Sequence, residues 1–411
     1  MKFYNIDAII KDDPFFKNDI SEKEKEILKA KFLKAVNDEM KKNDNKILFI
    51  VKESPLEDMP DGLVACVFSN NDVDLYSVTE SLYEKAGLNC NEINIEETTS
   101  QNFFSNVSYK RRSEFFQRFG DDYAKLDNLF MTWRREDCAY DDRIADDGKS
   151  FKAILKSARD NYLGARYEAE LKRILSDKKT KNFIGIPAHY IIGSTDLWHR
   201  RTMIRDLISG LYIKGRLTSR RYTIVPLDNP RVSFTVLNKI YAVNDGATVL
   251  LKINDNYDGD GYKKDPNDID EICDIVKKHS SRVLTVFSIA SASEAIRTRI
   301  KNSLCGIAVV DISEDLHNKE SAVEILKVFA KKDKFRLSES FIDKIYNSDR
   351  YYDYNTLVSI YAKWRHEYLS TAVYPAYKSF YTRDEEIIEE KKKSDAYDEL
   401  KSMVGLTAVK K

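Results

Sequence analysis

Between residues 189 and 312 five short apolar runs alternate with stretches of helical periodicity, and this alternation constrains the fold more than any other feature of the chain. The runs are HYIIG (189–193), RYTIVPL (221–227), ATVLLKI (247–253), RVLTVFSIA (282–290) and GIAVVDI (306–312). They are too apolar for strict polar alternation, which is the pattern of strands buried on both faces. Helical stretches lie between them, one ending at about Leu211 and others near 232–243 and 268–279. Strands and helices in that order predict a largely parallel sheet covered on both sides.

The rest of the chain divides by composition around this block. Residues 1–100 read as a small N-terminal α/β domain. Apolar residues recur at helical spacing from Ile27 to Met40, KILFIVKES (46–54) and GLVACVFSN (62–70) read as buried strands, and DLYSVTESLYEKAG reads as a helix stopped by Gly87, before NEINIEE. Residues 101–150 form a polar, aromatic and helical connector that ends in the acidic boundary DDRIADDGKS. Residues 151–315 hold the larger α/β domain, 316–375 a helical lid (SAVEILKVFAKKD, SESFIDKIYN, YNTLVSIYAKWRHEYL) and 376–411 a charged C-terminal helix or tail. The expected class is therefore α/β, a parallel-sheet sandwich with a helical lid, preceded by a small α/β domain.

With 411 residues, 42% of them apolar, the chain is long enough for two or three cores. Lys plus Arg equals Asp plus Glu at 67 each, so overall charge gives no reason to expect a polyanionic partner. Cys66, Cys90, Cys138, Cys273 and Cys305 are scattered and without a CxxC pair, which fits buried thiols in a reducing, cytoplasmic compartment. The opening MKFYNIDAIIKDD meets acidic residues early, and no run approaches the roughly 18 apolar residues of a membrane span.

The stretch IIGSTDLWHRRTMIRDLISG (191–210) follows an apolar run and turns into a helix, the position of a phosphate loop. Its order of elements, with NYLGARYEAELKRIL (161–175), GIPAHYII, GLYIKGRLTSRRYTIV, EAIRTRI and FRLSESFIDKI, resembles the AAA+ ATPases of the CbxX/CfxQ type over roughly residues 155 to 372. That branch includes Rubisco activases of red-type organisms and bacterial sporulation and secretion ATPases. The resemblance implies a AAA+ module of α/β sandwich and helical lid. Laid along the family pattern without a gap, His199 falls on the last loop glycine, Arg200 on the phosphate-binding lysine and Arg201 on the magnesium-coordinating threonine.

Such a loop works because glycines let backbone N–H groups curl around phosphate, a Lys reaches the terminal phosphates and a hydroxyl holds Mg²⁺. Here Asp196 would repel phosphate, Leu197 and Trp198 would crowd the concavity, and Arg201 cannot ligate magnesium. VLLKINDNY (249–257) resembles the family's VLFIDEAY, with Asn254 on the magnesium-organising Asp and Asp255 on the water-activating Glu. An amide lacks the charge for the first role, and Asp is a methylene short for the second. Asn355 and Val358 lie near the arginines of the family's lid. Arg297 and Arg299 resemble the arginine offered to a neighbouring subunit, although a surface salt bridge explains them as well.

Other readings weigh less. Arg200, Arg201, Arg205, Arg216, Arg220 and Arg221 make a candidate anion-binding or nucleic-acid face, or an electropositive interface, with Trp198 and Tyr222 for stacking. A helix start with exposed arginines is the plainer account of Arg200 and Arg201. Lys110, Arg111, Arg112, Arg134 and Arg135 are interspersed with Phe115, Phe116, Phe119 and Trp133, whose spacing fits a core. NDNYDGDGYKKD (254–265) imitates a calcium loop poorly and reads as a solvated turn. No histidine pair has metal-ligand spacing. The expectation is an inactive AAA+-like scaffold or regulatory subunit, with no catalytic residue, cofactor or metal. Its partner would be a protein, either an active AAA+ paralogue or a second copy. An atypical nucleotide-binding protein with weak ATPase activity and a nucleic-acid adaptor are the alternatives.

Overall fold

The computed structural model describes residues 1–11, 21–43, 46–52, 62–68, 73–106, 125–126, 140–145, 148–161, 163–229, 232–253, 266–289, 294–313, 316–348 and 350–376. They fall into two compact units, residues 1–314 and the chain from 315 onward.

The first unit opens with β1 (Lys2–Ile10), α1 (Glu22–Lys42), β2 (Ile47–Val51), β3 (Gly62–Val67), α2 (Leu75–Lys85) and β4 (Cys90–Thr98). The strands pair antiparallel in the order β2-β3-β1-β4. This is the split βαβ arrangement of ferredoxin-like folds. Ser21 caps α1: its hydroxyl accepts from the Glu24 N–H, while its own N–H donates to the Glu24 carboxylate at 2.9 Å. Phe32 of α1 meets Tyr83 of α2 with ring centroids 5.1 Å apart. The opening segment, to which sequence pattern assigns no strand, is an interior strand of this sheet. Phe3 and Ile6 are its fully buried residues, three apart, so the two-residue alternation of a half-buried strand is absent.

The second sheet follows α3 (Ser100–Ser105) and consists of β5 (Asp141–Ile144) and, after α4 (Phe151–Asp160) and α5 (Ala165–Ser176), a parallel series. That series runs β6 (His189–Gly193), α6 (Leu197–Ile213), β7 (Arg221–Pro226), α7 (Phe234–Val243), β8 (Thr248–Ile253), α8 (Pro266–His279), β9 (Leu284–Ile289), α9 (Glu294–Ser303) and β10 (Val309–Asp311). The strand order is β10-β6-β9-β8-β7-β5, parallel throughout except for β5, which runs antiparallel along β7. A mostly parallel sheet between helices, preceded by a smaller antiparallel sheet, agrees with the expected class. The acidic DDRI, read from sequence as a boundary, is instead the edge strand β5, because Asp142 is drawn inside by the residues opposite it.

From β6 the chain crosses one face through α6 to β7, then returns strand by strand with its helices on the other face. Tyr190, Ile192, Leu250 and Val286 accordingly pack with α4, α5 and α6. Ile191, Val225, Leu251 and Phe287 pack with α7, α8 and α9, in a core continuous with that of the ferredoxin-like sheet. Gly215 ends α6 with φ of 72°, and a Cβ there would stand 2.2 Å from the Thr180 carbonyl oxygen, so the turn admits only glycine.

A buried polar cluster ties these parts together. Arg221, 1% exposed at the start of β7, donates to Asp142 of β5 at 3.2 Å and to the Thr223 hydroxyl at 3.0 Å, and its guanidinium lies 5.3 Å from the Phe3 ring centre. Thr223 donates to Asp142 at 2.6 Å, and the Ser100 hydroxyl of α3 also donates to that carboxylate.

The second unit contains α10 (Lys319–Lys332), α11 (Glu339–Tyr346) and α12 (Tyr354–Tyr368), where three helical stretches are expected. Trp364 stands at its centre, 5.6 Å from the Phe341 ring, 5.8 Å from Tyr361 and 5.4 Å from Tyr368. Except for its first residue, the charged segment 376–411 lies outside the described residues, as do the cluster from Lys110 to Arg135 and the loop 254–265. No helix among the described residues is long and apolar enough to cross a membrane.

Two measurements check this account. Arg221→Met leaves Asp142 buried without its cation and is expected to lower unfolding free energy by about 3–5 kcal/mol in urea titration, whereas Arg221→Met with Asp142→Leu recovers most of the loss. His189 at the start of β6 is buried and its Nδ1 accepts from the Thr285 N–H at 3.0 Å, so burial, first of all, holds its pKa down at about 4. With the folded value below the unfolded one of about 6.5, His189 contributes full stability above pH 6.5 and loses it as pH falls towards 4, on the order of 3 kcal/mol. The urea midpoint should fall across that window, and less steeply in His189→Asn, whose amide oxygen accepts without titrating.

Candidate functional site

The helix following β6 lies on one face of the parallel sheet and the helix following β9 on the other. The carboxyl ends of these neighbouring strands therefore flank the crevice in which open α/β sheets bind ligands. Three residues, Ser194, Thr195 and Asp196, join β6 to α6 there. Gly193 donates its N–H to the Ser313 hydroxyl at 2.9 Å, and Ser194 donates its N–H to the Ile289 carbonyl at 3.3 Å. Asp196 is the N-cap of α6: its carboxylate accepts the His199 N–H at 2.6 Å, one of the amides a helix otherwise presents to an anion.

Arg200 lies across this end of the sheet. It is 6% exposed, and its Nη1 donates to the Ser194 carbonyl at 2.8 Å and to the Ile289 carbonyl at 3.1 Å. One guanidinium thus bridges the ends of β6 and β9. His199 is wholly buried, with its ring 5.6 Å from that of Trp198. Leu197 and Trp198, 45% and 54% exposed, face outward together with Arg201, while Arg205 is partly buried.

The remaining arginines of the candidate anion face do not form one surface. Arg216 pairs with Asp177 at 3.7 Å. Arg220 pairs with Glu97 of β4 at 3.7 Å, its N–H donates to the same carboxylate at 3.2 Å, and its guanidinium stands 5.6 Å from the Tyr212 ring centre. Arg221 belongs to the buried cluster with Asp142. The expectation of exposed arginines fits Arg201 and differs from the structure at Arg200, whose charge is met by backbone carbonyls, and the anion-face reading differs from it at Arg221, met by a carboxylate that the sequence places far away.

Arg297 and Arg299 of α9 are likewise engaged, the first with Glu294 at 2.6 Å and Asp311 at 3.7 Å, the second with Asp270 of α8 at 2.7 Å. Burial would raise the Asp311 carboxyl, but hydrogen bonds from Lys301 and Ser313 outweigh it and hold it below its ordinary value. Asn355 and Val358 are exposed on α12 of the second unit. Asn254 and Asp255 lie outside the described residues. Among the described residues no group of three His, Cys, Asp or Glu is placed to hold a metal ion.

No family model and no curated protein matches the chain. Among solved structures it is similar to the Walker-type ATPase of Pyrococcus abyssi, at 11% identity and a TM-score of 0.28, over 58% of this chain and 75% of that one. It is also similar to C. elegans PCH-2, at 10% identity and a TM-score of 0.23, over 93% of each chain.

Sequence reasoning treats Asp196 only as a charge that repels phosphate and misses its role as a helix cap, although an Asp three residues before a helical N–H is a recognisable cap signal. It also misses Ser313, whose contact with Gly193 depends on the pairing of β10 with β6. Of the cysteines, Cys66 and Cys273 are buried as expected and Cys90 is half-buried, whereas Cys305 is exposed. Burial pushes the thiols of Cys90 and Cys273 up to about 11 and 12.

Removal of the bridging side chain in Arg200→Ala leaves the Ser194 carbonyl without this donor and is expected to cost about 1–3 kcal/mol in urea unfolding. Loss of the cap in Asp196→Ala should cost about 1 kcal/mol by the same measurement.

Proposed function

We propose that the chain is a AAA+-like protein of the CbxX/CfxQ type that does not hydrolyse ATP and acts as a scaffold or regulatory subunit. Its partner would be a second copy or an active paralogue. The observation that carries this reading is the Arg200 guanidinium on the Ser194 and Ile289 carbonyls. A phosphate loop needs backbone amides turned towards the ligand and a cation free to reach its terminal oxygens. Here the cation that replaces the lysine is committed to two carbonyls of its own sheet, and the Asp196 carboxylate takes a helix amide where an anion would sit. Leu197 and Trp198 beside them offer exposed apolar area of the kind that anchors protein contacts.

The pairing of Arg216, Arg220 and Arg221 with carboxylates weighs against the nucleic-acid reading, whose surface would need those charges outward. The in-trans arginine belongs to the same proposal: Arg299, 35% exposed and held to Asp270, is the more accessible of the two on α9.

Isothermal titration of the purified chain with ATP and Mg²⁺ tests the proposal, with blank titrations for dilution heat. The expected result is no saturable binding at millimolar nucleotide. Micromolar binding that weakens in Arg200→Ala, or ATP turnover that tracks the folded sample and disappears in Asp255→Ala, would sink it.

A further inference from the structure

On the α6 face of the parallel sheet, beside the crevice closed by Arg200, lies a cleft of about 440 Å³. Its floor follows from strand periodicity. Residues two apart along a strand point to the same side, so Tyr222, Ile224 and Pro226 of β7, Leu250 and Lys252 of β8, and Ser288 of β9 share this face. Pro226, Lys252 and Ser288 are register partners across three neighbouring strands, which sets Lys252 beside Ser288 at the carboxyl end of the sheet. Neighbouring strands lie about 4.8 Å apart, so the two polar side chains rise from adjacent points of an otherwise apolar floor.

Two observations suggest what such a floor accommodates. The lining carries four cationic side chains, Arg143, Arg200, Arg201 and Lys252, and one carboxylate, Asp141, which is engaged by Arg143 at 2.9 Å. Lys252 and Arg201 make no ion pair among the described residues, and the fields of Arg143, Arg205 and Arg201 all reach the Tyr222 hydroxyl. Independently, Ser288 is 4% exposed and still lines the cleft beside Lys252, so a hydroxyl that the fold otherwise covers borders this space.

We infer that this cleft binds a small organic anion with an apolar body, a carboxylate carried on an aromatic or branched-chain group. The carboxylate would sit at the carboxyl end of β8 and β9, between the Lys252 ammonium and the Arg201 guanidinium, and accept the Ser288 hydroxyl. The apolar body would lie along Tyr222, Ile224 and Leu250. A volume of this size falls in the range of small-molecule sites lined mainly by apolar groups with a few convergent polar ones.

The test is titration of the full chain with benzoate, 2-naphthoate and 4-methylvalerate, each against its neutral amide. At least one carboxylate should bind about tenfold tighter than its amide, with the advantage lost in Lys252→Met and reduced in Arg201→Gln and Ser288→Ala. Arg201 is exposed, so its variant reports on charge even where Lys252→Met proves unstable. Equal affinity for acid and amide, no binding of any carboxylate up to about 10 mM, or a preference unchanged in the variants would overturn the assignment. The assembly proposal fails separately, on ATP binding, so one can stand without the other.

Discussion

The ion pair between Arg221 and Asp142 is the interaction on which the first unit is assembled. It lies where five pieces of chain meet: β5, the start of β7, the loop before α7's neighbour strand β8 through Asn244, the first turn of α3, and the opening residues. The Thr223 hydroxyl lies 3.1 Å from the Asn244 side-chain oxygen, and the Met1 carbonyl accepts from Arg221 at 3.4 Å. An arginine buried to this depth is tolerated only where its charge and its donors are met from several directions. The cluster meets the charge with Asp142 and the two Nη groups with Asp142, Thr223 and the Met1 carbonyl, and the continuous apolar core fills the space around it.

The two arginines drawn inside, Arg200 and Arg221, act at different places by the same principle. Each lies at the end of a strand and adds its donors to a polar group that the sheet draws inside. At the start of β7 the group is a carboxylate on the antiparallel edge strand, and at the ends of β6 and β9 it is a pair of carbonyls. The consequence at the second place is a crevice filled by the protein's own side chain, with the neighbouring cleft left open along the face covered by α6.

Much of this was legible in the sequence. The strands from β6 to β9 announce themselves because burial on both faces demands continuous apolar runs, the half-buried edge strand β10 shows in GIAVVDI, and α6 follows β6 as the run IIGSTDLWHRRTMIRDLISG indicates. β1 and β5 are hidden for a shared physical reason: their burial depends on partners rather than on their own pattern. Asp142 reads as a surface residue until Arg221, 79 positions later, is placed opposite it. The candidate site divides the same way. The departure of the loop from a phosphate cradle is visible in Ser194 to Arg201, but the direction of the Arg200 side chain is not. Lys252 and Ser288 each stand between two apolar neighbours in the runs ATVLLKI and RVLTVFSIA, and their meaning appears only when strand register sets them side by side.

The bridge from Arg200 to two strand ends also bears on how a partner would be released. A nucleotide-driven protein holds two arrangements at this end of its sheet and is moved between them by an external supply of free energy. On the assembly reading, a sheet fastened by its own side chain has one arrangement. Whatever docks on it then arrives and leaves under detailed balance, with occupancy set by concentrations and by the off-rate, so the cell would have to control such a complex by making or destroying its members.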